Sequence, residues 1–247
     1  MTMLVSKGEN EERTKVFISY SRQDSAVVDR LVDSLNAKGF QTTIDRGSIS
    51  LGEEWLPRLQ FLVFNADVFV FIQSLGWMNS EICRAELEAA RGRGKRIIGA
   101  TVIPVVLIPH EHLGTDYIFL FSDSSIPGSS FEAGLERLVA GLEEDKDWWH
   151  SHTLLLNRQK SWAASGSPAH LLLSSVELGR YKTWAAARPR DAPTLPMELH
   201  DYLVASDTSI LERSKRRELL IWKLSTAIFG ALCVLFVAFF LYSKLPP

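Results

Sequence analysis

The stretch Val16-Phe17-Ile18-Ser19-Tyr20-Ser21-Arg22-Gln23-Asp24 is an apolar run that stops abruptly in a polar turn. Two later stretches repeat the transition. Thr43-Ile44-Asp45 leads into Leu51-Gly52-Glu53-Glu54-Trp55, and Ser80-Glu81-Ile82-Cys83-Arg84-Ala85-Glu86 follows the apolar run 67–73. If the three runs are parallel strands, their polar ends meet at one edge, because every strand then points the same way. The carboxyl edge is where open α/β sheets bind ligands.

Around these stretches, strand and helix patterns alternate. Residues 15–20 read as a buried strand. Asp24 or Ser25 can cap a helix with Val27, Val28, Leu31, Val32 and Leu35 on one face, and Gly39 after Lys38 ends it. Residues 40–45 form a second strand. The polar loop 46–52 then leads into an amphipathic helix carrying Trp55, Leu56, Leu59, Leu62 and Val63. Pro57 fits there only in the first turn, where an N–H is unsatisfied anyway. Residues 67–73 are apolar almost throughout, as expected of a strand covered on both faces. A helix over about 80–92, a basic turn from Arg91 to Arg96, a long apolar stretch 97–108, a fifth strand at 117–121 and a closing helix at 131–142 complete the pattern. This order predicts a flavodoxin-like, doubly wound parallel α/β sheet of five strands over residues 14–145.

The chain has 247 residues, of which 46% are hydrophobic and 23% charged, enough for one such domain plus additions and incompatible with a disordered chain. A formal net charge of −2 supplies no global attraction to nucleic acid, so no nucleic-acid partner is expected. Two cysteines, Cys83 and Cys233, make no disulfide framework and fit a reducing compartment. Residues 1–13 carry charges and no long apolar core, which predicts a flexible tail and not a signal peptide.

Residues 224–243 are an uncharged apolar run with no polar stripe, and twenty residues at about 1.5 Å rise span a bilayer core of roughly 30 Å. One C-terminal transmembrane helix is therefore expected. Arg213, Lys215, Arg216, Arg217 and Lys223 make 213–223 a basic juxtamembrane segment, and only Lys244 follows the span. The positive-inside rule then keeps the N-terminal domain in the cytosol and exports residues 244–247. Between the sheet domain and this segment, residues 146–212 place Trp148, Trp149, Trp162 and Trp184 in helical stretches broken by Pro168, Pro189, Pro193 and Pro196. That pattern reads as a small helical adaptor of no readable role.

In order and spacing, Phe17-Ile18-Ser19-Tyr20-Ser21, the segment from Ile44-Asp45 through Gly52, and Ser80-x-x-Cys83-x-x-Glu86 together resemble the Toll/interleukin receptor (TIR) domain, specifically its bacterial, membrane-anchored members. The three pieces match the family's first-strand signature, its second-strand end with the BB loop, and its Ser-x-x-Cys-x-x-Glu motif. The resemblance covers about residues 14–145. It implies an NAD+ nucleosidase that cleaves the nicotinamide–ribose bond, with NAD+ as substrate and no cofactor, and Glu86 in the place of the catalytic glutamate. It further implies assembly with other TIR domains on activation, a setting in antiphage innate immunity and signal transduction, and location at the inner membrane. By the same carry-over, Tyr20, Ser21, Arg22, Asp45, Leu51, Gly52, Trp55, Ser80 and Cys83 are the candidate dinucleotide contacts. Many active relatives have Trp four residues before the glutamate; here that residue is Ile82, and Trp77 is the alternative candidate for an aromatic wall.

The residue type suits the chemistry. Nicotinamide is already cationic in NAD+, so one carboxylate suffices, holding the ribose hydroxyls and stabilising oxocarbenium-like charge without a second acid to protonate the leaving group. A helical glutamate is ordinarily a solvated surface residue. If Ser80 caps the helix, however, Glu86 falls in its second turn on the face shared with Ile82 and Cys83, surroundings that raise a carboxyl pKa.

Other chemistries lack their motifs. There is no P-loop, and Gly92-x-Gly94 follows a helix instead of a strand. His110-x-His112 and His150-x-His152 have no further ligand at metal-site spacing, and a Gly-x-Ser-x-Gly nucleophile elbow is absent. The competing function from a different class is a non-catalytic, membrane-anchored adaptor that recruits other TIR domains. Hydrolysis and cyclisation of NAD+ begin with the same bond cleavage, and the sequence leaves both open.

Overall fold

A computed structural model describes residues 13–45, 55–104 and 118–242, excepting the side chains of residues 55, 56, 231 and 233–242. Five parallel strands, β1 (Lys15–Ser19), β2 (Gln41–Ile44), β3 (Val68–Gln73), β4 (Arg96–Thr101) and β5 (Ile118–Phe119), form one sheet in the order β2-β1-β3-β4-β5. This is the expected doubly wound order, and it places the topological switch point between β1 and β3.

Helices cover both faces of the sheet. On one side, α1 (Ser25–Ala37) and α5 (Phe131–Glu143) pack Val28, Leu31, Leu35, Leu138 and Leu142 against Val16, Ile18, Val68, Val70 and Ile72. On the other, α2 (Trp55–Asn65) and α4 (Glu81–Gly92) pack Leu59, Val63 and Ala90 against Phe17 and Phe69. A strand buried on both faces cannot alternate polar and apolar residues, which explains the continuous run of β3. Pro57 is the third residue of α2, within its first turn. Gly39 ends α1 with φ of +93°, a conformation that favours glycine.

Asp145, at φ of 50°, separates α5 from α6 (Lys146–Ala164), which is followed by α7 (Ser175–Ala186) and α8 (Met197–Tyr242). Pro168, Pro189, Pro193 and Pro196 all fall between these helices. Leu155, Leu173, Leu178, Leu199 and Tyr202 form a separate small core, which also takes in Phe64 from α2. Because α8 is a single helix, the positions 212/213 and 223/224 of the sequence reading fall inside one element. Among the described residues, no helix is long and apolar enough to cross a membrane. Most side chains of the 224–243 run lie outside the described residues, as does the segment 244–247.

Candidate active site

Ser19 is the last residue of β1, and its register partner on β3 is Phe71. The switch point therefore opens beside Ser19. Glu86 reaches it from α4, whose N-cap Ser80 accepts from the Cys83 N–H and so fixes where the helix begins. From that start, Cys83, Glu86 and Ala90 fall on the inward face, and Glu86 is 4% exposed.

The Ser19 hydroxyl donates a short hydrogen bond to Glu86 Oε2, and the Trp77 indole N–H donates to Ser19 Oγ at 2.9 Å. The result is a directed chain, indole to hydroxyl to carboxylate. Trp77 itself is fixed from two sides. It belongs to α3 (Leu75–Met78), whose N-cap Ser74 accepts from the Trp77 backbone N–H at 3.1 Å, and its ring stacks on Phe71 with centroids 4.9 Å apart. Ser74 also donates to Asp24 Oδ2 at 2.5 Å, tying α3 to the turn after β1.

Burial lifts the Glu86 carboxyl from its ordinary value of 4.5 to about 7; the Ser19 hydrogen bond opposes the rise, and the nearby Asp45 carboxylate adds to it. A group poised there is half ionised at neutral pH. A cationic ligand entering the edge would draw it toward the carboxylate form, because the attraction favours the charged state. Burial likewise pushes the Cys83 thiol up, and Cys83 Sγ points to the Tyr20 carbonyl oxygen at 3.6 Å.

The sequence-predicted site residues are distributed as follows. Tyr20, Ser21, Ser80, Cys83 and Glu86 gather at the carboxyl end of β1, and Asp45 follows β2, with Arg58 Nη2 3.8 Å from its Oδ1. Ser21 caps a short 3₁₀ turn, Arg22–Asp24, and Arg22 is exposed. Leu51 and Gly52 lie outside the described residues, and Trp55 begins α2 with its side chain outside them as well. Trp77 differs from the aromatic wall expected of it: at 3% exposure it is packed on Phe71 and spends its N–H on Ser19. Ser19, part of the first-strand signature, is a further site residue that the sequence reading does not single out. Its hydroxyl at the end of the apolar run Val16–Ile18 is the available signal, since a buried hydroxyl needs a partner.

At the opposite, amino edge lies a second polar group of residues. Lys95 Nζ, 3% exposed, donates to the Phe64 and Ala66 carbonyls at 2.7 Å each and to Thr153 Oγ1 at 3.1 Å. Asp67 Oδ2 accepts from the Lys15 N–H at 2.9 Å and stands 3.3 Å from His150 Nδ1. Burial lowers Lys95 to about 7 and His152 to about 4; His152 is stacked on Trp148 and further depressed by Lys95. His150 thus joins α6 to the sheet unit through Asp67, while His152 lies among Trp148, Trp149 and Trp184 of the helical unit.

Among known families, the model described as "TIR domain" matches residues 16–139. Similar solved structures include the TIR domain of the Toll-related receptor TRR-2 from Hydra magnipapillata, at 18% identity and a TM-score of 0.43 over 52% of this chain and 98% of that one. The CMP N-glycosidase BcmB of Clostridium botulinum is 18% identical, with a TM-score of 0.38 over 52% of this chain and all of that one. The TIR domains of the activated Roq1 resistosome, which recognises the pathogen effector XopQ, are also 18% identical, with a TM-score of 0.33 over 58% and 82%. No curated protein matches.

Proposed function

This chain belongs to the TIR domain family, and on that premise we propose that it is an NAD+ nucleosidase in which Glu86 is the catalytic carboxylate. The observation that carries the proposal is the state of Glu86: a carboxyl group buried at the switch point, raised to about 7 and oriented by Ser19. Keeping a buried acid at a sheet edge is unfavourable for stability and useful for chemistry. In this reading the positive nicotinamide ring draws Glu86 into its carboxylate form as the substrate enters. The carboxylate then holds the ribose hydroxyls and stabilises positive charge on the sugar as the C–N bond breaks, and nicotinamide leaves as a neutral molecule. Water then attacks the sugar carbon in hydrolysis, or a nucleophile of the substrate itself in cyclisation.

The proposal extends to setting. Residues 224–243 anchor the protein in the bacterial inner membrane with the TIR domain in the cytosol, the preceding cations holding that orientation. Self-association of TIR domains switches on cleavage, and loss of NAD+ halts a phage-infected cell. The domain limits proposed are 1–13 for the tail, 14–145 for the TIR domain, 146–212 for the adaptor and 213–223 for the basic segment.

The test is nicotinamide release by the full chain reconstituted at increasing surface density in liposomes, beside Glu86→Ala. Release that grows with density and is absent from the variant supports the enzyme, and the second product tells hydrolysis from cyclisation. A folded, clustered parent that leaves NAD+ intact overturns it in favour of the recruiting adaptor, the reading that Ile82 at the usual tryptophan position favours.

A further inference from the structure

The helix α8 begins inside the helical unit and runs out of it. Its first turns are packed: Leu199 and Tyr202 are fully buried, Lys182 Nζ pairs with Asp207 Oδ2 at 3.0 Å, and Ile210 lies against the small core. Among the described residues the last tie to the body is Arg213, whose Nη2 donates to the Ala169 carbonyl at 2.8 Å. Every residue from Leu211 to Gly230 is exposed.

Two features of that stretch occur together. Leu219, Leu220, Ile221 and Trp222 are 56–65% exposed, and four consecutive residues complete a helical turn, so they form an apolar collar and not a stripe. A protein packed on one side leaves part of a collar in water, whereas a hydrocarbon phase covers all of it. Beside the collar stand five cations, Arg213, Lys215, Arg216, Arg217 and Lys223, against the two carboxylates Glu212 and Glu218. Among the described residues none of the five pairs with a carboxylate. At 3.6 residues per turn, Arg213, Arg216, Arg217 and Lys223 fall within about one third of the helix circumference. Glu212 borders this face, and Lys215 and Glu218 lie on the other side. At about 1.5 Å per residue, Arg216 and Arg217 stand roughly 3–5 Å and Arg213 roughly 9 Å above Leu219, against a headgroup layer of about 5–7 Å on each side of a bilayer. Lys223 lies a turn below, and a helical side chain leans back toward the N-terminus, here toward the same layer.

We propose that Arg213, Arg216, Arg217 and Lys223 bind the phosphate headgroups of anionic phospholipids while the Leu219–Trp222 collar sits in the hydrocarbon. The assignment rests on the membrane reading given above and extends it in two ways. The collar brings the hydrocarbon boundary to Leu219, and the cationic face selects which lipids surround α8 in addition to setting its orientation. Guanidinium suits phosphate because its planar donors engage two oxygens at once, and Arg213 keeps donors beyond the one given to Ala169. Clustered cations at headgroup depth are drawn to anionic lipid within a Debye length of the surface.

The test uses the full chain in phosphatidylcholine vesicles carrying the same mole fraction of either dibromo-phosphatidylglycerol or dibromo-phosphatidylcholine. Bromine quenches indole fluorescence on contact, and the emission lost in Trp222→Phe isolates the signal of Trp222. Expected is quenching by the brominated phosphatidylglycerol at least about twofold stronger than by the brominated phosphatidylcholine, an excess that shrinks as salt is added. Arg216→Glu with Arg217→Glu should abolish the excess, Arg216→Gln with Arg217→Gln should reduce it, and Lys215→Glu on the other side of the helix should keep most of it. Quenching of these variants by the brominated phosphatidylcholine, equal to that of the parent, shows that they still insert. No quenching by either lipid overturns the membrane reading and this assignment together. Equal quenching by both leaves the membrane reading standing and overturns the assignment, as does an excess that survives both double variants or falls as far with Lys215→Glu.

Discussion

Replacing Glu86 by glutamine should make the protein gain stability relative to the parent as pH rises. The folded state holds this carboxyl at about 7 against an ordinary 4.5, because it is 4% exposed and its surroundings disfavour charge. A raised carboxyl contributes its full stability below the unfolded value, and that contribution is lost as pH rises through the folded one. Between pH 5 and pH 8 the parent therefore gives up about 2.5 kcal/mol through this one group, at about 1.4 kcal/mol for each pH unit. Glu86→Gln has the same shape, can still accept from the Ser19 hydroxyl through its amide oxygen, and does not titrate. Any cost of burying its NH2 is the same at both pH values, so it cancels in the comparison. The measurement is urea or thermal unfolding of the full chain and the variant at pH 5 and pH 8. The stability difference, variant minus parent, should be about 2.5 kcal/mol larger at pH 8, which is about 5–10 °C in Tm for a protein of this size. A difference that is flat with pH would show that Glu86 is solvated and ionised in the folded state. That result would remove the electrostatic basis of the site.

Two further outcomes are expected. Ser19→Ala removes the hydrogen bond that opposes the rise of the Glu86 pKa; a bond to a charged group is worth about 1.5–3 kcal/mol, so the acid limb of the rate profile should move up by about 1–2 pH units. Nicotinamide release should fall roughly tenfold at pH 7 and approach the parent rate near pH 9, a recovery that simple misfolding would not show. His152, depressed to about 4 by burial, works in the opposite sense to Glu86: its contribution is present above about 6.5 and is lost as pH falls toward 4, about 2 kcal/mol by pH 5. His152→Phe should abolish that loss, seen as acid-resistant tryptophan fluorescence from Trp148 and Trp184, both of which stack on the imidazole; equal acid sensitivity in parent and variant would sink the idea.

The amino-acid sequence alone determined the parts that depend on neighbours in the chain. The doubly wound sheet followed from apolar runs separated by helical periods, and the start of α4 followed from Ser80, whose hydroxyl accepts from the Cys83 N–H three residues on. The position of Glu86 on the inward face of α4 was equally local, a matter of helical spacing from Cys83. Tertiary structure decided what surrounds that carboxyl. Ser19 meets Glu86 and Trp77 across 67 and 58 residues of chain, so no periodicity could have announced the indole–hydroxyl–carboxylate chain, and a lone aromatic residue after a strand gives no sign of where its ring will pack. The same is true of Lys95, a residue of a basic turn by sequence and a buried amine by structure, enclosed only once the Phe64 and Ala66 carbonyls and Thr153 of α6 come together. Local spacing fixes which way a side chain faces; desolvation and long-range hydrogen bonds, which exist only after the chain has closed on itself, fix its charge.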